Sequence, residues 1–117
     1  MDDLSIIDDI DDSYIDAKIN TPKYNSFMDI SLNYDTLKKQ NISKPIMSKY
    51  ERTKIIGIRA EEIARGAQPL IEVSPGITQA EKIAEEELNQ RKTPFILRRL
   101  INDKYEYWRI EDLEFIH

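Results

Sequence analysis

Charge is distributed unevenly along the 117 residues, and this unevenness confines a folded core to the second half of the chain. Residues 1–16 contain seven aspartates and no lysine or arginine, whereas residues 48–117 balance 13 acidic side chains against 12 basic ones. Like charges at the density of the first stretch repel one another, and its aliphatic residues follow neither a helical nor a strand period. The sequence therefore predicts a disordered acidic tail over residues 1–20 and one folded domain over residues 48–117.

The folded part is small, and its composition limits the chemistry that it can carry. A domain of about 70 residues buries only roughly 60% of the surface that its unfolded chain exposes, so an additional source of stability is usual. The chain has no cysteine, and its single histidine is His117, so disulfides and thiolate or histidine metal sites are not expected. We expect no metal and no cofactor, and we expect a partner protein to supply the additional stability.

Catalysis and membrane insertion find no support in the sequence. It contains no glycine-rich phosphate loop and no nucleophile beside a base, and the adjacent carboxylates Glu85, Glu86 and Glu87 would point in different directions on a helix. The apolar runs are shorter than the roughly 18 residues that span a bilayer, and the acidic start is unlike a signal peptide. The sequence therefore predicts a soluble intracellular protein that is not an enzyme.

Two helices are predicted in the folded domain. Ser48 and Glu51 form a capping-box pattern at the start of the first helix, and Gly66 marks its end. A second capping box at residues 78–81 opens the other helix, which ends near residues 91–92. Steps of three and four residues predict that the first helix is buried through Tyr50, Thr53, Ile56, Ala60, Ile63, Ala64 and Ala67. The same reasoning predicts that the second is buried through Ala80, Ile83, Ala84, Glu87 and Leu88.

Gly57 lies in the middle of the first predicted helix, where glycine costs about 1 kcal/mol relative to alanine. Two interpretations stay open. The glycine is tolerated without a structural reason, or another backbone passes so close that a β-carbon would clash. We favour close packing.

A β-hairpin is predicted after the second helix. Residues 94–101 and 105–110 are rich in β-formers and flank the polar turn Asn102-Asp103-Lys104. Both faces of this hairpin carry apolar residues, so we expect one face to meet the helices and the other to meet a partner. Residues 70–73 predict a further short strand. The fold class is therefore α+β, with two principal helices and a short hairpin or sheet.

Residues 21–47 are too apolar for a plain linker. Ile30 to Tyr34 alternate as in a short strand, whereas residues 35–40 are compatible with a turn of helix. Pro45 favours an extended approach to the folded domain. We expect this segment to be extended or partly ordered and to lie along a partner.

The block of residues 48–117 resembles one known family. The run Ser-Lys-Tyr-Glu-Arg-Thr-Lys-Ile-Ile-Gly-Ile-Arg-Ala at residues 48–60 is similar to the opening helix of the common small subunit of nuclear RNA polymerases, which is related to archaeal subunit K and bacterial omega. The resemblance continues through Ile63-Ala64, Pro69, Glu72, Ala84, Glu87-Leu88, Arg91-Lys92, Pro94, Arg98-Arg99, Tyr105-Glu106, Trp108 and Asp112-Leu113. It covers about 70 residues in the same order as in the family.

The resemblance implies an omega/K-like domain and a non-catalytic assembly subunit of a DNA-dependent RNA polymerase. Members of the family clamp the C-terminal region of the largest subunit near the base of the clamp, and they meet nucleic acid only indirectly. The implied location is the nucleus, or a viral transcription compartment or virion for a chain encoded by a large DNA virus. The residues predicted to bind the partner are Tyr50, Arg52, Ile56, Gly57, Arg59, Glu72, Lys92, Arg98, Arg99 and Trp108.

Two further hypotheses concern the tail and a rival function. Residues 1–16 either serve as a solubilising appendage or dock on a basic initiation factor. A different class of protein, a free-standing transcription regulator, would bind nucleic acid through the arginine-rich hairpin. The net charge of −5 and the balanced charge of the folded domain weigh against that second class.

Overall fold

The computed structural model describes residues 5–8 and 27–115, and these form two compact units. The first unit contains the described residues up to Ile46 together with residues 94–115, and the second contains residues 47–93. The elements of the first unit are β1 (Ser5–Asp8), α1 (Phe27–Lys39), β3 (Phe95–Ile101), β4 (Lys104–Arg109), a 3-10 turn (Ile110–Asp112) and β5 (Glu114–Phe115). The second contains α2 (Lys49–Ala64) and α3 (Ala80–Asn89), and the short strand β2 (Ile46–Met47) spans the boundary. The α+β class is confirmed.

The first unit is built on a three-stranded sheet in the order β1-β3-β4. The predicted hairpin is confirmed, with Ile96 opposite Arg109 and Ile101 opposite Lys104. Its turn is shorter than predicted, because Lys104 already belongs to β4. The two turn residues, Asn102 and Asp103, have φ values of 49° and 64°. Positive φ at both central positions belongs to the type I′ turn, whose twist matches that of a hairpin.

The alternation from Ile30 to Tyr34 suggested a strand, and that prediction is wrong. These residues lie within α1, where Ile30 and Tyr34 are buried and Leu32 is 77% exposed. Positions four residues apart share one face of a helix, so the apolar spacing fits a helix as well as a strand. Ile30 and Tyr34 pack against Ile96 and Tyr107 of the hairpin. This contact makes α1 part of the chain's own core.

Polar contacts fix the C-terminal half of α1 to the end of the hairpin. The hydroxyl of Tyr34 donates to Asp112 Oδ2 at 2.5 Å and accepts from the backbone N–H of Arg109 at 3.0 Å. Burial is the largest influence on this hydroxyl, and it raises the pKa of Tyr34. The guanidinium of Arg109 lies 4.4 Å from the centre of the Tyr34 ring, and Lys38 pairs with Asp112 at 3.3 Å.

The opposite face of the hairpin contacts residues 41–46. Arg99 donates to the carbonyl oxygens of Lys44 and Ile46 at 2.8 and 2.7 Å. Glu106, directly across from Arg99 in the ladder, accepts from the backbone N–H of Ile42 at 2.6 Å and from the hydroxyl of Ser43. We call residues 27–46 the N-terminal cover, because they contact both faces of the hairpin. The sequence predicted that one face of the hairpin meets a partner and that residues 21–47 lie along a partner. In the structure, residues 27–46 contact both faces of the hairpin.

In the second unit, α2 begins and ends as its sequence predicts. The hydroxyl of Ser48 accepts from the Glu51 N–H at 3.0 Å, and Glu51 Oε1 accepts from the Ser48 N–H at 2.9 Å, which confirms the first capping box. Gly66 has a φ of 108°. Its N–H bonds to Ile63 O, and the N–H of Ala67 bonds to Glu62 O, both at 3.0 Å. This pair of bonds is the Schellman motif.

The predicted second capping box is absent from α3. Its N-cap is Gln79, whose side chain makes no capping hydrogen bond, because the helix begins at Ala80 and leaves Thr78 outside it. The end of α3 is also a Schellman motif, with bonds from Arg91 N–H to Leu88 O and from Lys92 N–H to Glu87 O, both at 2.9 Å. Arg91 takes the position that glycine usually holds, with a φ of 58°.

The buried face of α3 is largely the predicted one, but that of α2 is not. Ile83, Ala84, Glu87 and Leu88 are buried, and Ala80 is half-buried. On α2 the buried residues are Glu51, Ile55 and Arg59. The predicted apolar face lies on the other side of this helix. Apolar spacing alone gave the wrong face because two of the three buried residues, Glu51 and Arg59, are charged.

Arg59 and Glu87 form a buried ion pair between α2 and α3. The pair is bidentate, with Arg59 Nε and Nη2 donating to the two Glu87 oxygens at 2.6 and 3.0 Å. Arg59 is 4% exposed and Glu87 is 0% exposed. Hydrogen bonding to Glu87 is the largest influence on the guanidinium, and the pKa of Arg59 is raised although burial opposes the charge.

The same ion pair positions the chain that leaves α2. Arg59 Nη2 donates to Gln68 O at 3.1 Å, and Glu87 Oε2 accepts from the Leu70 N–H at 2.8 Å. The predicted strand at residues 70–73 does not form, and these residues take no helix or strand conformation. Their position depends on the ion pair, since two of its atoms replace the hydrogen bonds that a neighbouring strand would supply.

Removing the charge of Glu87 is expected to destabilise the chain strongly. Glu87→Gln leaves a buried guanidinium without its carboxylate, which costs about 3 to 5 kcal/mol. Glu62→Gln is the matched control, because Glu62 contacts the same guanidinium at 3.1 Å but is half-exposed, and about 1 kcal/mol or less is expected there. Urea unfolding followed by circular dichroism measures both. Similar losses for the two variants would contradict the dominant role of the buried pair.

The backbone at Arg91 is expected to gain stability from glycine. The left-handed conformation costs a non-glycine residue about 1 to 2 kcal/mol, so Arg91→Gly should raise the free energy of unfolding by about 0.5 to 1 kcal/mol after the added freedom of the unfolded chain is counted. Gln90→Gly is the control, because φ is −86° at Gln90 and glycine should lower stability there. Urea unfolding of both variants distinguishes the outcomes. Destabilisation by Arg91→Gly would contradict this account.

Candidate partner-binding surface

Four of the residues predicted to bind a partner lie inside the chain. Arg59 is held by Glu87, as described above. Arg98 is 5% exposed and donates from Nε and Nη2 to the two carboxylate oxygens of Asp8 at 2.5 and 2.7 Å. Burial lowers the pKa of Arg98, but the Asp8 carboxylate outweighs it and the net shift is upward.

Arg99 and Trp108 are the other two buried members of the predicted set. Arg99 is 5% exposed and is held by residues 43–46, and Trp108 donates from Nε1 to the Ser43 hydroxyl at 3.3 Å. Ser43 therefore joins an arginine, a tryptophan and the carboxylate of Glu106 through one hydroxyl. The sequence gave no signal for this role of Ser43, because its partners are more than 50 residues away.

The remaining six predicted residues lie at the surface of the second unit. Tyr50 is 59% exposed, Gly57, Glu72 and Lys92 are exposed, and Arg52 and Ile56 are half-buried. Arg52 donates to Asn89 Oδ1 at 3.0 Å, so its side chain is directed toward the end of α3. Four of the six are on α2, so the structure brings these four together on one element.

One side of α2 carries apolar residues that are exposed or half-buried. Its positions recur at three- and four-residue steps opposite Glu51, Ile55 and Arg59, so they form a single face. We call this face the α2 surface, and it consists of Tyr50, Ile56, Gly57, Ala60, Ile63 and Ala64. These are largely the residues that the sequence predicted to be buried. An exposed apolar face of this kind marks an interaction site in a soluble protein.

Gly57 lies in the middle of the α2 surface. A β-carbon built at this position meets no atom within 4 Å among the residues that the structure describes. Close packing inside this part of the chain is therefore wrong as an explanation of the glycine. The absence of a side chain leaves the α2 surface flat at this point, with the small residues Ala60 and Ala64 next to it.

Basic side chains flank the N-terminal half of the α2 surface. Lys49 is exposed, and Arg52 and Lys54 are half-buried, while the one acidic residue of this half, Glu51, is turned inward. The ammonium of Lys54 lies 5.9 Å from the centre of the Tyr50 ring. The surface therefore presents apolar area beside positive charge.

Residues 5–8 and 27–115 contain neither a candidate metal centre nor a helix that could span a membrane. These residues include no cluster of three or more histidine, aspartate or glutamate side chains that could hold a metal ion. No helix among them is long and apolar enough to cross a bilayer.

Comparison with known proteins supports the resemblance. Residues 41–95 match the family model of RNA polymerase Rpb6. A probable subunit RPABC2 of DNA-directed RNA polymerases I, II and III from Caenorhabditis briggsae is 42% identical over 76 residues, which cover 64% of this chain and 54% of that protein. Subunit RPABC2 of Saccharomyces cerevisiae is 38% identical over 77 residues, which cover 65% and 49%.

A viral relative extends the similarity to the N-terminal region. DNA-directed RNA polymerase subunit 6 of Acanthamoeba polyphaga mimivirus is 34% identical over 135 residues, which cover 99% of this chain and 34% of that protein. The chain thus spans between a third and about half of the length of these three relatives. The family match includes α2 and α3 but not α1. The family match and these relatives together support membership of the Rpb6 family, the small common subunits of multisubunit RNA polymerases.

Proposed function

We propose that the chain is a non-catalytic assembly subunit of a multisubunit DNA-dependent RNA polymerase and that it binds the C-terminal region of the largest subunit near the base of the clamp. The observation that carries this proposal is the α2 surface, an apolar face that lies within the family-matched residues and is left uncovered by the second unit. The relatives described above are all named as polymerase subunits, which supports the kind of complex.

The α2 surface has the features of a protein interface. Tyr50 supplies a large aromatic anchor with a polar hydroxyl, a type of residue that dominates binding energy when it enters a partner's pocket. Gly57, Ala60 and Ala64 allow a partner's backbone to come close, so that dispersion contacts form over a continuous area. Lys49 fits a partner segment that carries carboxylates, because complementary charge adds specificity and speeds association.

The buried residues of the predicted partner-binding set stabilise the fold and do not contact the partner directly in this proposal. Arg59 fixes which side of α2 faces outward, and Arg98 holds β1 to the hairpin. Arg99 and Trp108 hold the hairpin and its N-terminal cover together. Glu72 and Lys92 are exposed and remain proposed contacts of the partner. This division separates residues whose substitution would weaken the fold from residues whose substitution would weaken binding.

The acidic tail is the second proposed contact. Residues 1–16 carry seven aspartates, a charge that suits a basic initiation factor. The proposed location is the nucleus for a chain of cellular origin and a viral transcription compartment or virion for a chain of viral origin. The relatives include subunits of both kinds of polymerase.

The alternative of a free-standing regulator that binds nucleic acid through its hairpin is less well supported. It needs arginines that reach phosphates, because phosphate contacts supply most of the affinity of such proteins. Arg98 and Arg99 are each 5% exposed and are held by Asp8 and the N-terminal cover. Tight, salt-dependent DNA binding by the isolated chain would restore this alternative.

A leucine at Gly57 is expected to separate folding from assembly. Gly57→Leu should leave the isolated chain as stable or raise its free energy of unfolding by up to about 0.8 kcal/mol, because leucine is the better helix former and the position has open space. The same side chain should hold the partner away from the α2 surface. We expect incorporation into polymerase to fall about tenfold, measured as copies of this chain per largest subunit after affinity purification of the largest subunit.

Lys82→Leu is the matched control, because it places the same side chain at an exposed position of α3 outside the α2 surface. Normal incorporation is expected for this variant. Normal incorporation of Gly57→Leu, in a chain that unfolds at the same urea concentration as the unchanged protein, would exclude the α2 surface as the interface.

A further inference from the structure

The edge of β3 holds a short acidic strand from the N-terminus. β1 pairs with β3 in parallel, with Ile6 opposite Ile96, Ile7 opposite Leu97 and Asp8 opposite Arg98. Ile7 is 7% exposed, and Ile6 packs against the core of the first unit. Two aliphatic side chains and one carboxylate therefore anchor β1, in addition to its backbone pairing.

Arg98 creates a requirement for a carboxylate at this edge. Its side chain is 5% exposed, and both of its contacts with Asp8 are short charge-assisted hydrogen bonds. Its guanidinium also lies 5.4 Å from the centre of the Tyr105 ring. When a strand covers this edge, the guanidinium is buried and needs an opposite charge, since an uncompensated buried charge is strongly unfavourable. The edge is therefore selective for a strand that brings an acid to the position of Asp8.

The present occupant is held by a small number of contacts and a long connection. β1 contains four residues, and residues 9–26, which number 18, separate it from α1. The contacts that hold β1 are the pairing of four residues with β3 and one ion pair, so a partner segment with the same side chains can make the same contacts at this edge. Backbone pairing supplies affinity without regard to sequence, and the side-chain positions supply selectivity.

We propose that the edge of β3 and Arg98 form a binding site for an extended acidic segment, which residues 5–8 fill in cis and which a partner protein's segment fills in their place. The segment adds parallel to β3, with aliphatic side chains at the positions of Ile6 and Ile7 and an aspartate or glutamate at the position of Asp8. Because both segments need the same edge and the same guanidinium, the partner's segment binds only when β1 leaves. The N-terminal segment is thereby released to bind elsewhere when the partner is present.

A peptide of residues 3–10 tests this site directly. The peptide carries a fluorophore and is titrated against two full-length hosts, the unchanged chain and the variant Ile7→Asp with Asp8→Lys, in which the tail is expected not to dock. Fluorescence anisotropy should show saturable binding to the variant host that is at least about tenfold tighter than to the unchanged chain, whose edge is occupied. Circular dichroism confirms that the variant host is folded.

Two altered peptides identify the role of the carboxylate. Replacement of the acid at the position of Asp8 by asparagine should weaken binding about tenfold or more, because a charge-assisted pair with Arg98 is lost. The same replacement at the position of Asp9, which lies outside the β1 pairing, should change the affinity by less than about twofold. Equal binding of the two altered peptides would overturn the proposal, as would the absence of saturable binding to a folded variant host.

A displacement experiment tests whether the added peptide removes β1 from β3 in a chain whose residues 5–8 are unchanged. The chain has no cysteine, so Asp2→Cys gives a single site for a fluorophore just before β1. Addition of the unlabelled peptide at millimolar concentration should lower the anisotropy of this label as β1 leaves β3, and the peptide with asparagine at the position of Asp8 should not. An anisotropy that does not change at any peptide concentration would overturn the proposal even if the variant host fails to fold.

Discussion

The buried pair of Arg59 and Glu87 determines which side of α2 faces outward in the second unit. A guanidinium and a carboxylate placed between two helices are tolerated because each satisfies the other, and because Gln68 and Leu70 occupy their remaining hydrogen-bonding positions. Any other rotation of α2 would leave the buried carboxylate of Glu87 without its cation, which is strongly unfavourable. The side of α2 that carries Glu51, Ile55 and Arg59 is therefore turned inward, and the α2 surface stays outside.

The elements that could be predicted from the sequence are those with local causes. The Ser48–Glu51 capping box, the Gly66 helix end and the hairpin each depend on residues within a few positions of one another, and all three form. The face of α2 could not be predicted in this way, because its burial is decided by Glu87, 28 residues beyond Arg59. Glu87 on an otherwise apolar face of α3 was the available signal, since a buried acid needs a cation.

The packing of the N-terminal cover also could not be predicted, because its contacts join residues that are distant in sequence. Tyr34 packs on the hairpin and bonds to Asp112, 78 residues away, and no local pattern of α1 contains that information. The sequence indicated correctly that the hairpin has two apolar faces, and a two-stranded ribbon with exposed faces is marginal in water. The contacts expected from a partner are instead made by residues 27–46 of the same chain. Of the predicted partner-binding residues, those on α2 other than Arg59 are consequently the ones left together at the surface.

Arg59 and Arg98 are both buried and both need an opposite charge, but their carboxylate partners lie on elements of different kinds. This difference bears on function. Both are buried arginines held by bidentate carboxylates. The carboxylate of Glu87 lies on α3, which packs against α2 within one unit, so that pair breaks only when the unit unfolds. The carboxylate of Asp8 belongs to a four-residue strand at the end of a long connection, so it can be exchanged for another acid while the hairpin stays folded. The chain thus has one permanent ion pair for its architecture and one replaceable ion pair at the edge of its sheet.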